Sequence, residues 1–284
     1  MPWSQKLDDF AFFWRTLLKS FLRTHLLCGV LLLASASTIA PGCASTNANA
    51  SYSSQAQALY KDAQETLEDG EFSEAIRRFN LIRTRYSYSK YAALSDLRIA
   101  DAYFIQEKYA TAIEQYRTFN KLYVGHPQNT YANWRVALSF FRQMPTDNII
   151  LPPGYERDLA RARDAEREMR LFLKRNPNTE YTKDAGRYLL LARRRLADHE
   201  LYVATFYLTR NNPRAAALRL TYLLKNYTGL GLDPQALFLL ARAYLELKDV
   251  DKAVVALKDL VSVHPQSEYA QRARAYAQRY QLNL

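Results

Sequence analysis

The sequence contains few glycines and few cysteines, and both shortages narrow the folds that it can adopt. Glycine makes up 8 of the 284 residues, which leaves little material for the tight turns of a β-rich fold. Residues that favour helices, such as Ala, Leu, Arg, Glu and Gln, are abundant instead. The composition therefore predicts an all-α body, and the 2 cysteines are too few for a disulfide framework.

The patterns that mark catalytic and metal sites are also missing from the sequence. The 4 histidines stand far apart, and no two of them share the spacing of metal ligands. There is no Gly-rich phosphate-binding loop and no Gly-x-Ser-x-Gly nucleophile motif. We therefore expect a protein that is not an enzyme and that has neither a metal site nor a cofactor.

The formal charge of the chain is strongly positive, at +11. A basic body indicates an anionic partner, such as nucleic acid, a membrane surface or an acidic protein. The basic residues are dispersed along the predicted helices, however, and many have acidic neighbours. A solvated surface explains the charge as well as a dedicated anion site does.

Residues 1–42 have the features of an export signal. Basic residues precede an apolar run at 26–36, which is short for a bilayer-spanning helix. The small residues that lead up to Cys43 resemble a bacterial lipobox, with Ala40 where Leu is usual. We expect Cys43 to become the acylated N-terminus and Cys28 to be removed with the signal. The alternative is a plain secretory signal in which Cys43 has no role.

The stretch 43–54 is rich in small polar residues and has no apolar period, which predicts a flexible tether. An acylated Cys43 on such a tether would attach a folded body to a membrane. The residue after the cysteine is Ala44, where Asp would direct retention in the inner membrane. For a Gram-negative cell, this predicts a protein that is anchored to the outer membrane by its lipid.

A repeat of 37 residues organises the rest of the chain. Small residues let paired helices approach closely, and aromatic residues fill the space where the next repeat stacks. This pattern is typical of a tetratricopeptide-type (TPR) solenoid. The positions that recur are Ala63, Ala75, Phe79, Ile82 and Tyr86, which are matched by Ala100, Ala112, Tyr116, Phe119 and Tyr123.

The same frame predicts about five helix pairs over 55–284, with an N-terminal half at 55–144 and a C-terminal half at 158–284. The small residues of its later repeats are Ala137, Ala165, Ala204, Ala216, Ala241 and Ala253. The loop between the two halves, 145–157, interrupts the third repeat. Its apolar residues favour packing on the solenoid or on a partner, although a tolerated surface loop fits as well. The segment 179–210 has a continuous apolar stripe and predicts one long helix.

The order of these features resembles the BamD (ComL, YfiO) family of outer-membrane lipoproteins. The resemblance covers about residues 55–280, including the loop in the third repeat and the long helix that enters the fourth. Repeat spacing is shared by many adaptors, and the segment Glu200–Tyr207 is more specific. The segments that carry the resemblance are Tyr60–Gly70, Ala75–Tyr91, Asn176–Tyr181 and Arg195–Tyr207.

The resemblance implies a scaffold on the periplasmic face of the outer membrane, within the β-barrel assembly (BAM) machinery and alongside its other lipoproteins. Its C-terminal repeats would bind a POTRA domain of a BamA-like protein. Arg219 matches the arginine that pairs with an acidic residue of BamA, and Arg210 lies nearby at a turn. The alternative for Arg219 is a solvated arginine with a neighbour one helical turn earlier.

The resemblance also implies that the N-terminal repeats hold extended segments of unfolded outer-membrane proteins in a groove. Tyr91, Arg98 and Tyr103 are the candidates for this client-peptide groove, and we expect Tyr91 and Arg98 to be exposed. Tyr86 and Tyr123 fit packing between repeats at least as well.

Two other functions remain compatible with the sequence. The first is another TPR lipoprotein of the envelope, such as a pilotin for secretin assembly or a coordinator associated with Tol–Pal. A pilotin would show about six uniform repeats of 34 residues without the loop, whereas this chain has a period of 37 and an insertion. The second is a binder of nucleic acid or of an anionic surface, and export argues against most forms of it.

Overall fold

The computed structural model describes residues 52–145 and 151–283, where the chain forms eleven α-helices and no strand. The all-α prediction is confirmed. The predicted signal and Cys43 lie outside these residues. Contacts divide the chain into two compact units, one ending at Arg98 and one beginning at Ile99. We describe each unit by itself.

The helices are α1 (Tyr52–Glu68), α2 (Phe72–Arg85), α3 (Lys90–Ile105), α4 (Tyr109–Leu122), α5 (Asn129–Arg142), α6 (Ala160–Arg175), α7 (Thr182–Thr209), α8 (Pro213–Asn226), α9 (Asp233–Glu246), α10 (Val250–Val263) and α11 (Glu268–Arg279).

The first unit consists of α1, α2 and the beginning of α3. Ala63 and Ala75, the small residues of the first repeat, are fully buried where α1 and α2 pack together. Gly70 connects the two helices with φ of +82°, which is the conformation that its place after a helix predicted. Helix α1 begins at Tyr52, so the last three residues of the predicted tether are helical.

The second unit contains α4 to α11, and each of these helices packs against the next one in the chain. Helices α1 and α2 belong to the first unit, and α3 is divided between the units. Counted along the chain, the eleven described helices form five consecutive pairs and a final helix, α11. The small residues of the predicted frame pack with no more than 1% exposure, which confirms the frame. They are Ala112, Ala137, Ala165, Ala204, Ala216, Ala241 and Ala253.

The sequence places two halves on either side of the loop 145–157, and this division stays a prediction. Helix α5 packs against both α6 and α7, so helix contacts bridge the loop.

The described part of the loop packs on α7. The Nδ1 atom of His199 lies 2.5 Å from the carbonyl oxygen of Tyr155, and the rings of Tyr155 and Tyr202 are 5.7 Å apart. Arg195 donates a hydrogen bond of 3.3 Å to the carbonyl of Pro145. The prediction that the loop packs on the solenoid is confirmed for these residues, while residues 149 and 150 lie outside the described part.

Helix α7 is the long helix expected at 179–210, and it positions the candidate site. Its 28 residues contact α5, α6, α8 and α9. Arg193 donates a hydrogen bond of 2.6 Å to the carbonyl of Asn226, the last residue of α8, and Arg194 donates one of 2.6 Å to the carbonyl of Leu230 in the loop after it. These bonds fix the end of α8 relative to α7. Within the described residues, no helix is long and apolar enough to span a membrane.

Candidate partner-binding site

Arg219 lies on α8 at the edge of the face that packs into the core. The next residue, Leu220, is fully buried, as is Leu223. Because successive residues are 100° apart around a helix, a position beside a core residue lies at the boundary with solvent. The side chain of Arg219 is accordingly 46% exposed. It is therefore accessible to a partner.

The partner of Arg219 within the chain is Glu200, on the other helix of the pair. Glu200 lies one turn before the buried Ala204 on α7, and only 9% of the residue is exposed. Its Oε2 atom accepts a hydrogen bond of 3.3 Å from Nη1 of Arg219. The partner within the chain is thus on the neighbouring helix and not one turn earlier on α8. This pairing has no signature in the sequence, because it depends on the rotation of α7 and α8 about their own axes.

Tyr227, at the end of α8, lies near the same carboxylate. The ring is buried, and the guanidinium of Arg193 lies 5.8 Å from its centroid. Burial raises the pKa of the Tyr227 phenol, and the negative charges of Glu166 and Glu200 raise it further. The phenol is therefore neutral at physiological pH and does not balance the charge of Glu200, which is paired with Arg219.

Arg210 follows the last residue of α7 and is exposed. Its guanidinium lies 5.4 Å from the ring centroid of Phe206, one turn earlier. In the part of the chain that the structure describes, no hydrogen bond or ion pair joins Arg210 to Arg219. The two arginines are thus separate groups on the same helix pair.

Large apolar side chains are also exposed on α7 and α8. Exposed aromatic and apolar residues beside an arginine are the composition that dominates binding energy at protein interfaces. This helix pair therefore has the chemistry of a protein-binding surface. The exposed residues are Leu190, Leu191, Tyr202, Phe206, Leu218 and Tyr222.

In the first unit, the structure corrects the expected exposure of Tyr91. Only 8% of this residue is exposed, because its ring packs 5.4 Å from the ring of Tyr60 on α1. Arg98 is half-buried, and its Nε donates a hydrogen bond of 3.1 Å to the hydroxyl of the same tyrosine. Both candidates therefore pack on Tyr60, and Tyr91 is part of the core of this unit.

Tyr103, the third candidate for the client groove, belongs to the second unit and is half-buried. Tyr86 is buried and contacts Tyr52, with ring centroids 4.9 Å apart. The ring of Tyr123 packs 5.2 Å from that of Phe119. Both tyrosines therefore pack within their own repeat, and packing between repeats stays a prediction. Sequence reasoning missed Tyr88, which is 97% exposed; its position between two serines in a turn was the available signal.

A comparison with protein-family models identifies the relatives of this chain. The model of YfiO, described as an outer membrane lipoprotein, matches residues 52–255. The chain belongs to the YfiO family of outer membrane lipoproteins. The match covers α1 to α9 and the first six residues of α10, and therefore includes Arg219 and Glu200. The family predicted from the sequence is confirmed.

Curated relatives of this chain carry the name outer membrane protein assembly factor BamD. The protein of Caulobacter vibrioides is 30% identical over 66% of this chain, which spans 59% of that relative's length. The protein of Neisseria gonorrhoeae is 25% identical over 89% of this chain and 95% of its own length. That of Vibrio cholerae is 26% identical over 73% of this chain and 86% of its own length.

Solved structures similar to this chain are TPR proteins and related folds. One is the TPR2AB domain of yeast Sti1, solved as a pHSP90 complex. Its sequence is 15% identical, the match covers 80% of this chain and 84% of that domain, and the TM-score is 0.41. MamA is 14% identical, with coverage of 81% and 98% and a TM-score of 0.31.

Proposed function

We propose that this protein is a non-enzymatic scaffold for the assembly of outer-membrane β-barrel proteins. In this proposal, its C-terminal repeats bind a POTRA domain of a BamA-like protein through Arg219 and Arg210. Its N-terminal repeats bind unfolded outer-membrane proteins, and other lipoproteins of the machinery complete the complex.

The observation that best supports the contact is the half-exposed guanidinium of Arg219, with exposed apolar side chains on the same helix pair. An arginine can form two parallel hydrogen bonds with a carboxylate, which gives specificity as well as affinity. The partner should therefore present an acidic residue within an otherwise apolar patch. The relatives' name, assembly factor, is consistent with a role in such a complex.

Affinity capture from detergent-solubilised outer membranes tests the proposal. The full chain is compared with Arg219→Ala and with a control, Arg214→Ala, which removes another exposed arginine from α8. Alanine is preferable to Glu at position 219, because a second carboxylate beside Glu200 would disturb the fold as well as the interface.

Each outcome of the capture experiment decides between functions. We expect the wild type and Arg214→Ala to recover a large β-barrel protein with POTRA domains, and Arg219→Ala to recover much less of it. Recovery of a secretin or of Tol–Pal components would overturn the assembly function and favour another envelope TPR lipoprotein. Equal recovery of the barrel protein by all three forms would keep the function and remove Arg219 as its contact.

The client groove in the N-terminal repeats needs its own test, since Tyr91 is buried. A fluorescent peptide with the C-terminal sequence of an outer-membrane β-barrel protein serves as the probe. We expect Arg98→Gln to weaken its binding, because a guanidinium attracts the terminal carboxylate. Arg77→Gln is the control, since Arg77 is an exposed arginine of the same unit that binds Glu74. Unchanged binding by Arg98→Gln would place the groove elsewhere.

The lipid anchor is proposed for Cys43, with the protein on the periplasmic face of the outer membrane. We expect Cys43→Ser to move the protein from the membrane fraction to the soluble periplasmic fraction and to abolish palmitate incorporation. Cys28→Ser is the matched control, because Cys28 lies within the predicted signal. Palmitate incorporation that survives Cys43→Ser would contradict the anchor.

A further inference from the structure

We propose that Glu200 is a positioning residue that holds Arg219 in the orientation in which it meets an acidic residue of the partner. This inference rests on the proposed role of Arg219. It concerns a residue whose function neither the sequence pattern nor the family match assigns.

The first argument is the burial of Glu200. A carboxylate that is 9% exposed is costly unless a cation or several donors compensate for its charge. Among the described residues, Arg219 is the group that donates a hydrogen bond or forms an ion pair with it. The nearby phenol of Tyr227 is neutral. The carboxylate therefore draws Arg219 toward α7 and restrains its side chain.

The second argument is the geometry of the guanidinium. Arg219 uses Nη1 to reach Glu200, whereas a guanidinium has five N–H donors in a planar fork. Nearly half of the side chain is exposed, so the remaining donors are available to a second carboxylate. One donor of the fork is held by Glu200, while the side chain as a whole remains half exposed.

The third argument is energetic preorganisation. A free arginine side chain loses rotamer freedom when it is fixed in an interface, and prior restraint reduces that loss. A charge-assisted hydrogen bond restrains more strongly than a neutral one. Glu200→Gln keeps the size and hydrogen-bonding ability of the side chain, so it removes mainly the charge.

A double-mutant cycle on the full chain tests the inference. The probe is the purified periplasmic POTRA segment of the barrel protein recovered in the capture experiment, and its affinity is measured by biolayer interferometry. The variants are Glu200→Gln, Arg219→Ala and the two combined. Glu168→Gln is the control, because the Glu168 side chain is 15% exposed and accepts hydrogen bonds of 3.4 Å from two half-exposed arginines, Arg117 and Arg167.

We expect Glu200→Gln to raise Kd about five- to tenfold, mainly through faster dissociation. In the Arg219→Ala background, the same substitution should change Kd by less than about twofold, because there is no longer a side chain to position. Glu168→Gln should leave Kd unchanged. A merely structural role for Glu200 would lower affinity equally in both backgrounds.

The outcomes separate the inference from the function on which it rests. If Arg219→Ala leaves Kd unchanged, the proposed contact and the inference both fail. If Arg219→Ala weakens binding but Glu200→Gln does not, or if Glu200→Gln tightens binding, only the inference fails. The ¹⁵N relaxation of the Arg219 Nε group gives a second readout in the free protein. Glu200→Gln should increase its mobility, and unchanged mobility would also overturn the inference.

Discussion

The second unit contains two acid–arginine centres that differ in their access to solvent. In the first, Asp101 on α3 accepts hydrogen bonds from the hydroxyls of Tyr116 at 2.5 Å and Tyr131 at 2.8 Å. Arg135 lies 3.7 Å from the same carboxylate oxygen and donates to the Tyr116 hydroxyl at 3.1 Å. We call this group the closed cluster, and we call Glu200 with Arg219 the open pair.

The difference lies in the arginine rather than in the acid. Both acids are almost completely buried, but the side chain of Arg135 is 18% exposed, against 46% for Arg219. The guanidinium of Arg135 also lies 3.7 Å from the ring centroid of Phe104, which covers it. A satisfied buried network rigidifies a core, whereas an arginine with free donors at the surface is suited to recognition. The same chemistry thus stabilises the core in one centre, and in the other we propose that it serves binding.

The largest loss of stability is expected when the acidic residue of the closed cluster, Asp101, is removed. Asp101→Ala leaves Arg135 buried without its carboxylate and two hydroxyls without their acceptor. We expect it to lower the free energy of unfolding by about 3–5 kcal/mol. Urea unfolding followed by circular dichroism measures the change. Asp198→Ala, which breaks a half-exposed pair with Arg194, is the control and should cost less than about 1 kcal/mol.

A smaller effect is expected when one hydrogen bond to the closed cluster is lost. Tyr131→Phe removes a hydroxyl that donates to a charged carboxylate, and such bonds contribute about 1.5–3 kcal/mol. Tyr103→Phe is the matched control on a half-buried tyrosine, and it should change stability by less than about 0.5 kcal/mol. The same urea experiment compares them. Equal stability of the two variants would show that the cluster does not stabilise the core.

In the open pair, the effect on stability should be smaller still. Arg219→Ala removes a half-exposed side chain from beside Glu200, so water can enter the space that is left and partly replace the guanidinium. We expect a loss of about 1 kcal/mol in the free energy of unfolding, with the main effect on partner binding. A loss as large as that of Asp101→Ala would show that the two centres are equivalent, and it would remove the distinction between closed and open.

The smallest effect on stability is expected for Glu74, an acidic residue at the surface of the first unit. Hydrogen bonds from Arg77 and Arg78 lower the pKa of Glu74 from 4.5 to about 2. Because the pKa is depressed in the folded state, the stabilisation is present above pH 4.5 and is lost as the pH falls toward 2. The urea midpoints of the wild type and of Glu74→Gln should therefore differ at pH 6 and converge near pH 2. A difference that grows on acidification would contradict this sign.

Much of the fold is predictable from the sequence, because it depends on local pattern. The spacing of Ala63 and Ala75 defines a helix pair whatever surrounds it, and Gly70 identifies the turn between them. The long helix α7 follows from an apolar stripe without a proline. The loop 145–157 is predictable because Pro145 and its neighbours interrupt the 37-residue repeat.

The site was less predictable, because exposure and pairing depend on neighbouring helices. Arg219 is predicted through the family resemblance. Its hydrogen bond to Glu200 joins two helices, so no periodic pattern in the sequence indicates it. Tyr91 was expected at the surface, and only the approach of Tyr60 from another helix makes it part of the core. Asp101 and Arg135 likewise come together from α3 and α5, so their burial could not be inferred from either helix alone.

The most direct test of the distinction between the two centres is hydrogen–deuterium exchange of the full chain with and without the purified POTRA segment. The account predicts that binding slows exchange in α8, at 213–226, and in the last turns of α7, whereas exchange around Arg135 on α5 does not change. Protection confined to α5, or absent from both α7 and α8 in a saturated complex, would contradict it.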